Sequence, residues 1–531
     1  MTTFARNAVE LPVTADRGDR VPLTLQLAAQ LREALADGRL APGERLPSSR
    51  ALAASLGVSR TVVTAAYSQL FAEGWLEGRH GSGTYVATDP VAATTAGEAV
   101  DLGGRHAPWE TDAAGEEHAA GEEDARHGRG SAGPGPGGPG TATVSLLPGI
   151  PWAAGIDPAA WRRAWRRAAA EPPSRWPGHG GLPALGQALT GYLRRSRGIR
   201  CAASQILPTR GVAAGLRLTA AALLRPGDRV GVEEPGYHVA RSVFAAHGAE
   251  VVPCRVDAAG LVVEDLPGDL RLVYTTPAHQ YPLGGRLPVR RRQALVAWAH
   301  ATGALIVEDD YDGEFRYDVA PLPTLFGLDP TAVIYLGTTS KTLTPALGAG
   351  WLVARPGLIR SITRAAAALG ERVPEPVQRA VAGLLAGGEL ERHVRRMRHE
   401  YARRRTAMAG ILGGAISCPG APPARLTGET AGMHMVLELP PGMAGPVVRA
   451  AAQRGVMLAA LDERYYAGPV TTSGLVLGYG AADLAGVRRG SRVLAEVLAG
   501  LCADPPEVAA PRAAAAGPPG PGPAAGRAAG S

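Results

Sequence analysis

Lysine occurs once in this chain. Of 55 Lys+Arg side chains, 54 are arginine and one, Lys341, is lysine. Lysine can do what arginine cannot: in a desolvated site, or beside other cations, its amine loses its proton near neutral pH and attacks an aldehyde to give a Schiff base. Lys341 lies in Gly337-Thr338-Thr339-Ser340-Lys341-Thr342-Leu343, just after an apolar run ending at Leu336, so a strand end would present it. Thr338 and Ser340 would offer hydroxyls to a phosphate. Asp309 follows the apolar run Leu305-Ile306-Val307, where its carboxylate can pair with a protonated pyridine nitrogen and keep such a ring electron-withdrawing. Tyr311, two residues on, could donate to a phenolic oxygen. Tyr237, in Glu234-Pro235-Gly236-Tyr237, offers a flat face whose stacking is worth about 0.5–1.5 kcal/mol beyond area burial. Thr209-Arg210-Gly211-Val212 precedes an Ala/Leu-rich stretch and could set the Gly211 and Val212 amides at a helix N-terminus against a phosphate. Each residue also has a plainer reading: a surface lysine, carboxylates such as Glu308 and Asp310 that cap structure, a core tyrosine.

The elements that must position these groups are legible as alternation. Short β-branched runs at Arg229 to Val232, Val251 to Pro253, Leu272 to Thr275, Leu305 to Glu308, Val333 to Leu336 and Trp351 to Val353 alternate with helical stretches. That order predicts an α/β domain over 143–502 with a mainly parallel sheet, ligands gathering at the carboxyl ends of its strands. Past about residue 375, Arg-rich helical sequence and further short strands predict a smaller α+β subdomain. No internal repeat is present.

A second unit spans 20–87. Leu23, Leu27, Leu31 and Leu35 put one ridge on a first helix; Ser48 and Ser49 can cap a second, carrying Leu52 and Leu56 and stopped at Gly57. Ser59 caps a third, with Val63, Ala66, Tyr67 and Leu70 inward, and two short strands flank Arg79-His80-Gly81-Ser82-Gly83. Helix, helix-turn-helix and wing (a winged helix-turn-helix, α+β) is the implied order. Polar residues gather where a recognition helix would enter the major groove: Ser59, Arg60, Thr61 and Thr64, with Arg50 placed for a phosphate and His80-Gly81 at the wing tip. Acidic and basic side chains roughly balance over 1–90, so a DNA face there must come from segregated charge.

Composition bounds the rest. The formal charge of +7 and a pI near 9.4 permit nucleic-acid binding without requiring it. Cys201, Cys254, Cys418 and Cys502 are too dispersed for a metal site or a disulfide scaffold, so no metal is expected. With no targeting pattern and no uncharged apolar run of about 20 residues, the expected place is the cytoplasm, with no membrane partner. Residues 88–142 are Gly, Ala, Pro and acidic, with a cluster at Glu116, Glu117, Glu122, Glu123 and Asp124; they read as a flexible linker, and 503–531 as a disordered tail of similar character.

The strings Leu46-Pro47-Ser48-Ser49-Arg50, Leu56-Gly57-Val58-Ser59-Arg60-Thr61-Val62, Glu73-Gly74-Trp75-Leu76 and His80-Gly81-Ser82-Gly83-Thr84-Tyr85-Val86 resemble the GntR family of winged-helix repressors. Thr276-Pro277-Ala278-His279-Gln280-Tyr281-Pro282, Glu308 to Tyr317 and Ser340-Lys341-Thr342-Leu343 resemble the fold-type I aminotransferases, specifically the MocR/GabR-type regulators that join the two. The resemblance implies pyridoxal 5'-phosphate as cofactor, Lys341 as its internal aldimine, Asp309 at the pyridine nitrogen, Tyr311 at the phenolic oxygen and Tyr237 on the ring. It also implies a homodimer that binds a double-stranded DNA operator and responds to the cofactor or an amino compound. His279 and Gln280 fall where the family's loop borders the cofactor, with no particular contact assigned. Two departures stand out. Gly348 occupies the place, seven residues after the lysine, where the family usually has an arginine for the phosphate, and Leu475-Val476-Leu477-Gly478-Tyr479 lacks the arginine that grips a substrate carboxylate, although Arg464 is nearby in sequence. Two rival readings therefore stay open: an active aminotransferase with an attached DNA-binding module, and a regulator that has lost its cofactor.

Overall fold

The computed structural model describes residues 13–18, 21–36, 39–41, 43–73, 75–79, 83–87, 143–172, 174–175, 177–317, 323–418, 423–428 and 431–503. The expected linker, the tail beyond 503, and His80 and Gly81 lie outside the described residues.

In the N-terminal unit, helices Leu23–Ala36, Ser49–Leu56 and Arg60–Glu73 precede an antiparallel hairpin of Leu76–Arg79 with Gly83–Val86, registered Leu76 against Val86. The ridge on the first helix is buried at Leu27, Leu31 and Leu35, while Leu23 is only half-buried at its start. Ser48 caps the second helix by accepting from the Ala51 amide, and Gly57 ends it at φ 61°, left-handed backbone that glycine adopts without steric cost. Val63, Ala66, Tyr67 and Leu70 bury the third helix's inner face, and the Tyr67 hydroxyl donates to Pro47 O at 2.8 Å, fixing the turn before the second helix. Trp75, expected in the first wing strand, precedes it: its amide is bonded to Leu70 O, which belongs to the helix end.

The large unit is built on an eight-stranded sheet in the order Ile206–Thr209, Gly350–Val353, Val333–Thr338, Leu305–Asp309, Leu272–Thr275, Arg229–Glu234, Glu250–Asp257, Gly260–Leu261. The five strands from Val333–Thr338 to Glu250–Asp257 are parallel; Gly350–Val353 runs antiparallel to both its neighbours. All six expected strands are present, several of them longer than their apolar runs, and Asp309 is the last residue of its strand instead of the first beyond it. Ile206–Thr209 was not anticipated, because a four-residue strand ending in Pro208-Thr209 carries little pattern of its own.

Helices on both faces make successive strand residues fill different cores. Val273, Ile306, Val333, Tyr335 and Trp351 join the core toward Pro183–Arg197, Glu375–Ala386 and Glu389–Ile416, whereas Leu272, Tyr274, Leu305, Val307, Ile334 and Leu336 join the core toward Val212–Leu223, His238–Ala246 and Pro356–Ala368. Beyond residue 375 the expected α+β part is present. Arg425–Thr427, His434–Glu438, Gly474–Gly478 and Ala459–Ala460 form an antiparallel sheet, and helix Leu484–Ala503 packs on Glu389–Ile416. Val144–Ser145 pairs in parallel with Val456–Met457 and so ties the start of the large unit to its end.

A buried ion pair anchors the turn after Leu305–Asp309. Arg197 meets Asp310, both nearly inaccessible to solvent; Asp310 Oδ2 also accepts from the Tyr335 hydroxyl at 2.7 Å, and Arg197 Nη1 donates to Gly313 O at 2.8 Å. Only glycine fits at 313, since a Cβ there would sit 2.1 Å from Asp310 Oδ1 and 2.2 Å from Arg197 Nη2. Breaking a buried pair strands a charge at a cost of about 3–5 kcal/mol. Arg197→Met should therefore lower the unfolding free energy in urea by roughly that amount, and a loss below about 1 kcal/mol would contradict this role.

Candidate functional site

A cavity of about 290 Å3 opens at the carboxyl ends of the parallel strands, and all eight residues expected there from the sequence line it: Gly211, Val212, Tyr237, Asp309, Tyr311, Thr338, Ser340 and Lys341. They converge because neighbouring parallel strands end together. Asp309 closes one strand, Thr338 closes the next, and these two strands pair with Leu336 opposite Asp309.

The turn carrying Lys341 is held from within. Thr339 N and Oγ1 both donate to Ala349 O, at 3.0 and 2.8 Å, while the Ser340 amide donates to Thr338 Oγ1 at 3.1 Å. Lys341 Nζ donates to Gly149 O at 2.7 Å. A Cβ on Gly149, which has φ +75°, would stand 2.9 Å from that nitrogen, so this close approach requires glycine. Burial pulls the Lys341 amine below the usual lysine range, against the attraction of Asp312 and Asp309.

Across the cavity, Asp309 Oδ2 accepts from the Tyr274 hydroxyl at 2.6 Å, whereas Oδ1 is buried with no hydrogen-bond partner among the described residues. Burial is the main force pushing its carboxyl from 3.8 up to about 7. A cationic N–H donor at Oδ1 would complete the carboxylate's hydrogen bonding and hold it ionised. The Tyr311 hydroxyl is 3.0 Å from His279 Nδ1, which is itself 2.9 Å from Asp312 Oδ2. One nitrogen carries at most one proton, so when Nδ1–H donates to Asp312 the Tyr311 hydroxyl keeps its own proton for the cavity. His434 lies beside this group; burial lowers it to about 3, leaving it neutral with Nε2 bonded to Pro282 O at 2.9 Å. The atoms His279, Asp312 and His434 could offer to a metal lie within 4.8 Å of one another, and the His279–Asp312 hydrogen bond already engages two of them.

Gly211, at φ +80°, is the N-cap of helix Val212–Leu223, and it turns the chain so that the helix's first amides border the cavity. Tyr237 stands edge-on to Tyr281, ring centroids 6.1 Å apart at 81°. Sequence reading missed Gly149, Tyr274 and Tyr281 as wall residues, and it left Glu233 unremarked. Buried Glu233 accepts from Thr275 Oγ1, from Thr276 N and Oγ1 at 3.0 and 2.6 Å, and from Gln280 Nε2 at 3.2 Å, pinning the loop that carries His279. Gln280 thus holds the loop itself, bonding Pro235 O and Tyr281 O as well. A tyrosine facing the carboxylate of the next strand was the one available signal for Tyr274, and it depends on knowing which strands are neighbours.

The two departures have structural counterparts. Gly348 adopts φ +52° with nothing within 4 Å of where a Cβ would stand. Val476 is fully buried with Val436, Leu461 and Tyr465, while Arg464 is exposed and outside the cavity lining. In the N-terminal unit, Arg50 on the second helix, Ser59 just before the third, and Arg60, Thr61 and Thr64 on the third are all exposed; Arg60 Nε reaches Ser49 Oγ at 3.4 Å, linking the two helices.

Residues 23–86 match the model of the gntR family of bacterial regulatory proteins, and residues 152–472 that of aminotransferase class I and II. The chain is 36% identical to the HTH-type pyridoxine biosynthesis transcriptional regulator PdxR of Corynebacterium glutamicum, over 89% of this chain and 95% of that one. It is 34% identical to the probable rhizopine catabolism regulatory protein MocR of Rhizobium meliloti, over 90% and 93%. Among solved structures, the alpha-aminoadipate aminotransferase LysN of Thermus thermophilus superposes with a TM-score of 0.62 at 26% identity, covering 68% of this chain and 93% of that one.

Because the folded Asp309 carboxyl titrates near 7 and the unfolded one near 3.8, its contribution to stability is present below about pH 3.8 and lost as pH rises through about 7. Asp309→Asn removes that loss. The urea unfolding free energy of the variant, without added ligand, should gain on the wild type by up to about 4 kcal/mol between pH 4 and pH 8, and parallel pH profiles would contradict the burial of an unpaired oxygen.

Proposed function

The chain belongs to the MocR-type transcription regulators of the GntR family, a winged helix fused to an aminotransferase-like domain, and on that premise we propose that its regulatory signal is read by pyridoxal 5'-phosphate held in the Lys341 cavity. The observation that carries this reading is the pairing of a desolvated amine with a buried, half-satisfied carboxylate across one cavity: Lys341 on one wall, Asp309 Oδ1 on the other. Bound there, the cofactor supplies an aldehyde that combines reversibly with amines and a ring that withdraws electrons. The chain's own groups have distinct tasks. Asp309 Oδ1 would accept from a ring N–H, Tyr311 would donate to a phenolic oxygen, Tyr237 would cover a ring face, and the Lys341 amine would leave Gly149 O to hold the cofactor through its aldehyde, with release of water. The Gly211 and Val212 amides with the Thr338 and Ser340 hydroxyls would hold the phosphate.

The domains of the proposed regulator are the winged helix at 20–87 and the aminotransferase-like unit at 143–502, joined by 88–142. It acts in the cytoplasm as a homodimer on a double-stranded operator, and among the described residues no helix is long and apolar enough to cross a membrane. The effector is the cofactor itself or an amino compound that competes with Lys341 for it. A ligand of either kind shifts the regulator only through unequal affinity for two arrangements of the chain. Regulation is favoured over turnover of amino acids by Val476: a valine sealed among Val436, Leu461 and Tyr465 offers a carboxylate no charge. The naming of the Corynebacterium relative as a regulator of pyridoxine biosynthesis supports the cofactor itself as signal.

Mixing the full chain with pyridoxal phosphate should produce an absorption band near the visible edge that Lys341→Ala abolishes; a wild-type protein that stays colourless overturns the reading. For the other half, Arg60→Ala should weaken binding to a duplex selected from a random pool by the wild-type chain. A lost bidentate base contact, about 1–3 kcal/mol, corresponds to roughly 5- to 150-fold, with the fold checked by circular dichroism. Unchanged affinity would remove Arg60 from the DNA face.

A further inference from the structure

A phosphate ester carries about −1.5 to −2 charges at neutral pH, and hydroxyls and amides alone leave that charge without a countercharge. Gly348 supplies none, and no second lysine exists in the chain. Among the described residues lining the cavity, the cations are Lys341, which the cofactor reading commits to the aldehyde, and Arg210.

Arg210 is well placed and weakly committed. It directly precedes Gly211, whose φ of +80° carries the chain into helix Val212–Leu223, so Arg210, Gly211, Val212 and Ala213 form one continuous wall of the cavity. Its side chain is 61% exposed, and its recorded ion-pair partner, Glu371 Oε2, is 3.9 Å away, beyond hydrogen-bond reach. Glu371 meanwhile accepts from Arg217 at 2.8 Å through its other oxygen. With the arginine exposed and the pair this long, turning the guanidinium toward the cavity gives up little. A charge-assisted, forked contact from arginine to phosphate returns more.

We infer that Arg210 is the phosphate-gripping cation of this chain. The positive charge missing at position 348 is replaced from the neighbouring segment at the helix N-terminus, which Gly350 packs against at Gly211. This inference rests on the cofactor reading, and it adds a specificity: the site prefers the phosphorylated aldehyde over its unphosphorylated form because of Arg210.

The test compares dissociation constants of the full-length wild type and Arg210→Gln for pyridoxal phosphate and for pyridoxal, read by absorbance titration, with thermal unfolding as the fold check. The variant should bind pyridoxal phosphate about 10- to 100-fold more weakly and pyridoxal unchanged, so the preference for the phosphate collapses. A variant that keeps the wild-type preference overturns the role of Arg210 and leaves the cofactor reading standing. Equal weakening toward both aldehydes also overturns it, since the residue would then act on the fold of the wall and not on the phosphate. A wild type that takes up neither aldehyde defeats the cofactor reading first.

Discussion

The shared direction of the central strands is the constraint on which the site depends. Strand residues alternate between two cores, and a one-residue slip would exchange the faces along a whole strand. Ile306 and Val333 face one core while Val307 and Ile334 face the other, so the register is fixed by hydrophobic burial on both sides. That register puts Asp309 beside Leu336 at the same end of the sheet as Thr338 and Tyr274. The chemistry at the strand ends is thus set by apolar residues that never touch it.

Around that edge the structure concentrates buried acids and treats each differently. Glu308 is turned away to accept the Leu325 and Phe326 amides at 2.9 Å each, and Asp310 is matched by Arg197. Asp312 serves His279, and Glu233 clamps a loop. Asp309 is the member of this group that lines the cavity, and it does so with an oxygen unused. Asp310 Oδ1 and Asp312 Oδ1 are likewise buried without a partner among the described residues, so what sets Asp309 apart is its place on the cavity wall, where a ligand can supply the missing donor to a carboxylate that is costly to keep charged.

Local features were readable from the chain and long-range ones were not. The helix-turn-helix rests on contacts within about a turn or two of sequence, with Ser48, Gly57 and the Val63 to Leu70 face each signalled by residue type. Lys341 was conspicuous by rarity, and Asp309 and Tyr311 by their place after an apolar run. Tyr274, Gly149 and Glu233 gave no such signal. Tyr274 matters because its strand adjoins that of Asp309, Gly149 because its carbonyl meets an amine 192 residues away, and Glu233 because it gathers a loop more than 40 residues downstream. The reverse held for Arg464, close to the expected arginine position in sequence yet exposed outside the cavity.

The contact between Lys341 and Gly149 has a mechanical side. Gly149 follows the strand Val144–Ser145, whose pairing with Val456–Met457 opens the large unit just after residue 142. The lysine amine therefore latches the very stretch through which the chain enters the domain. Whatever claims that nitrogen unfastens a carbonyl five residues past the first strand residue, and the freed oxygen must find a new donor from water or protein.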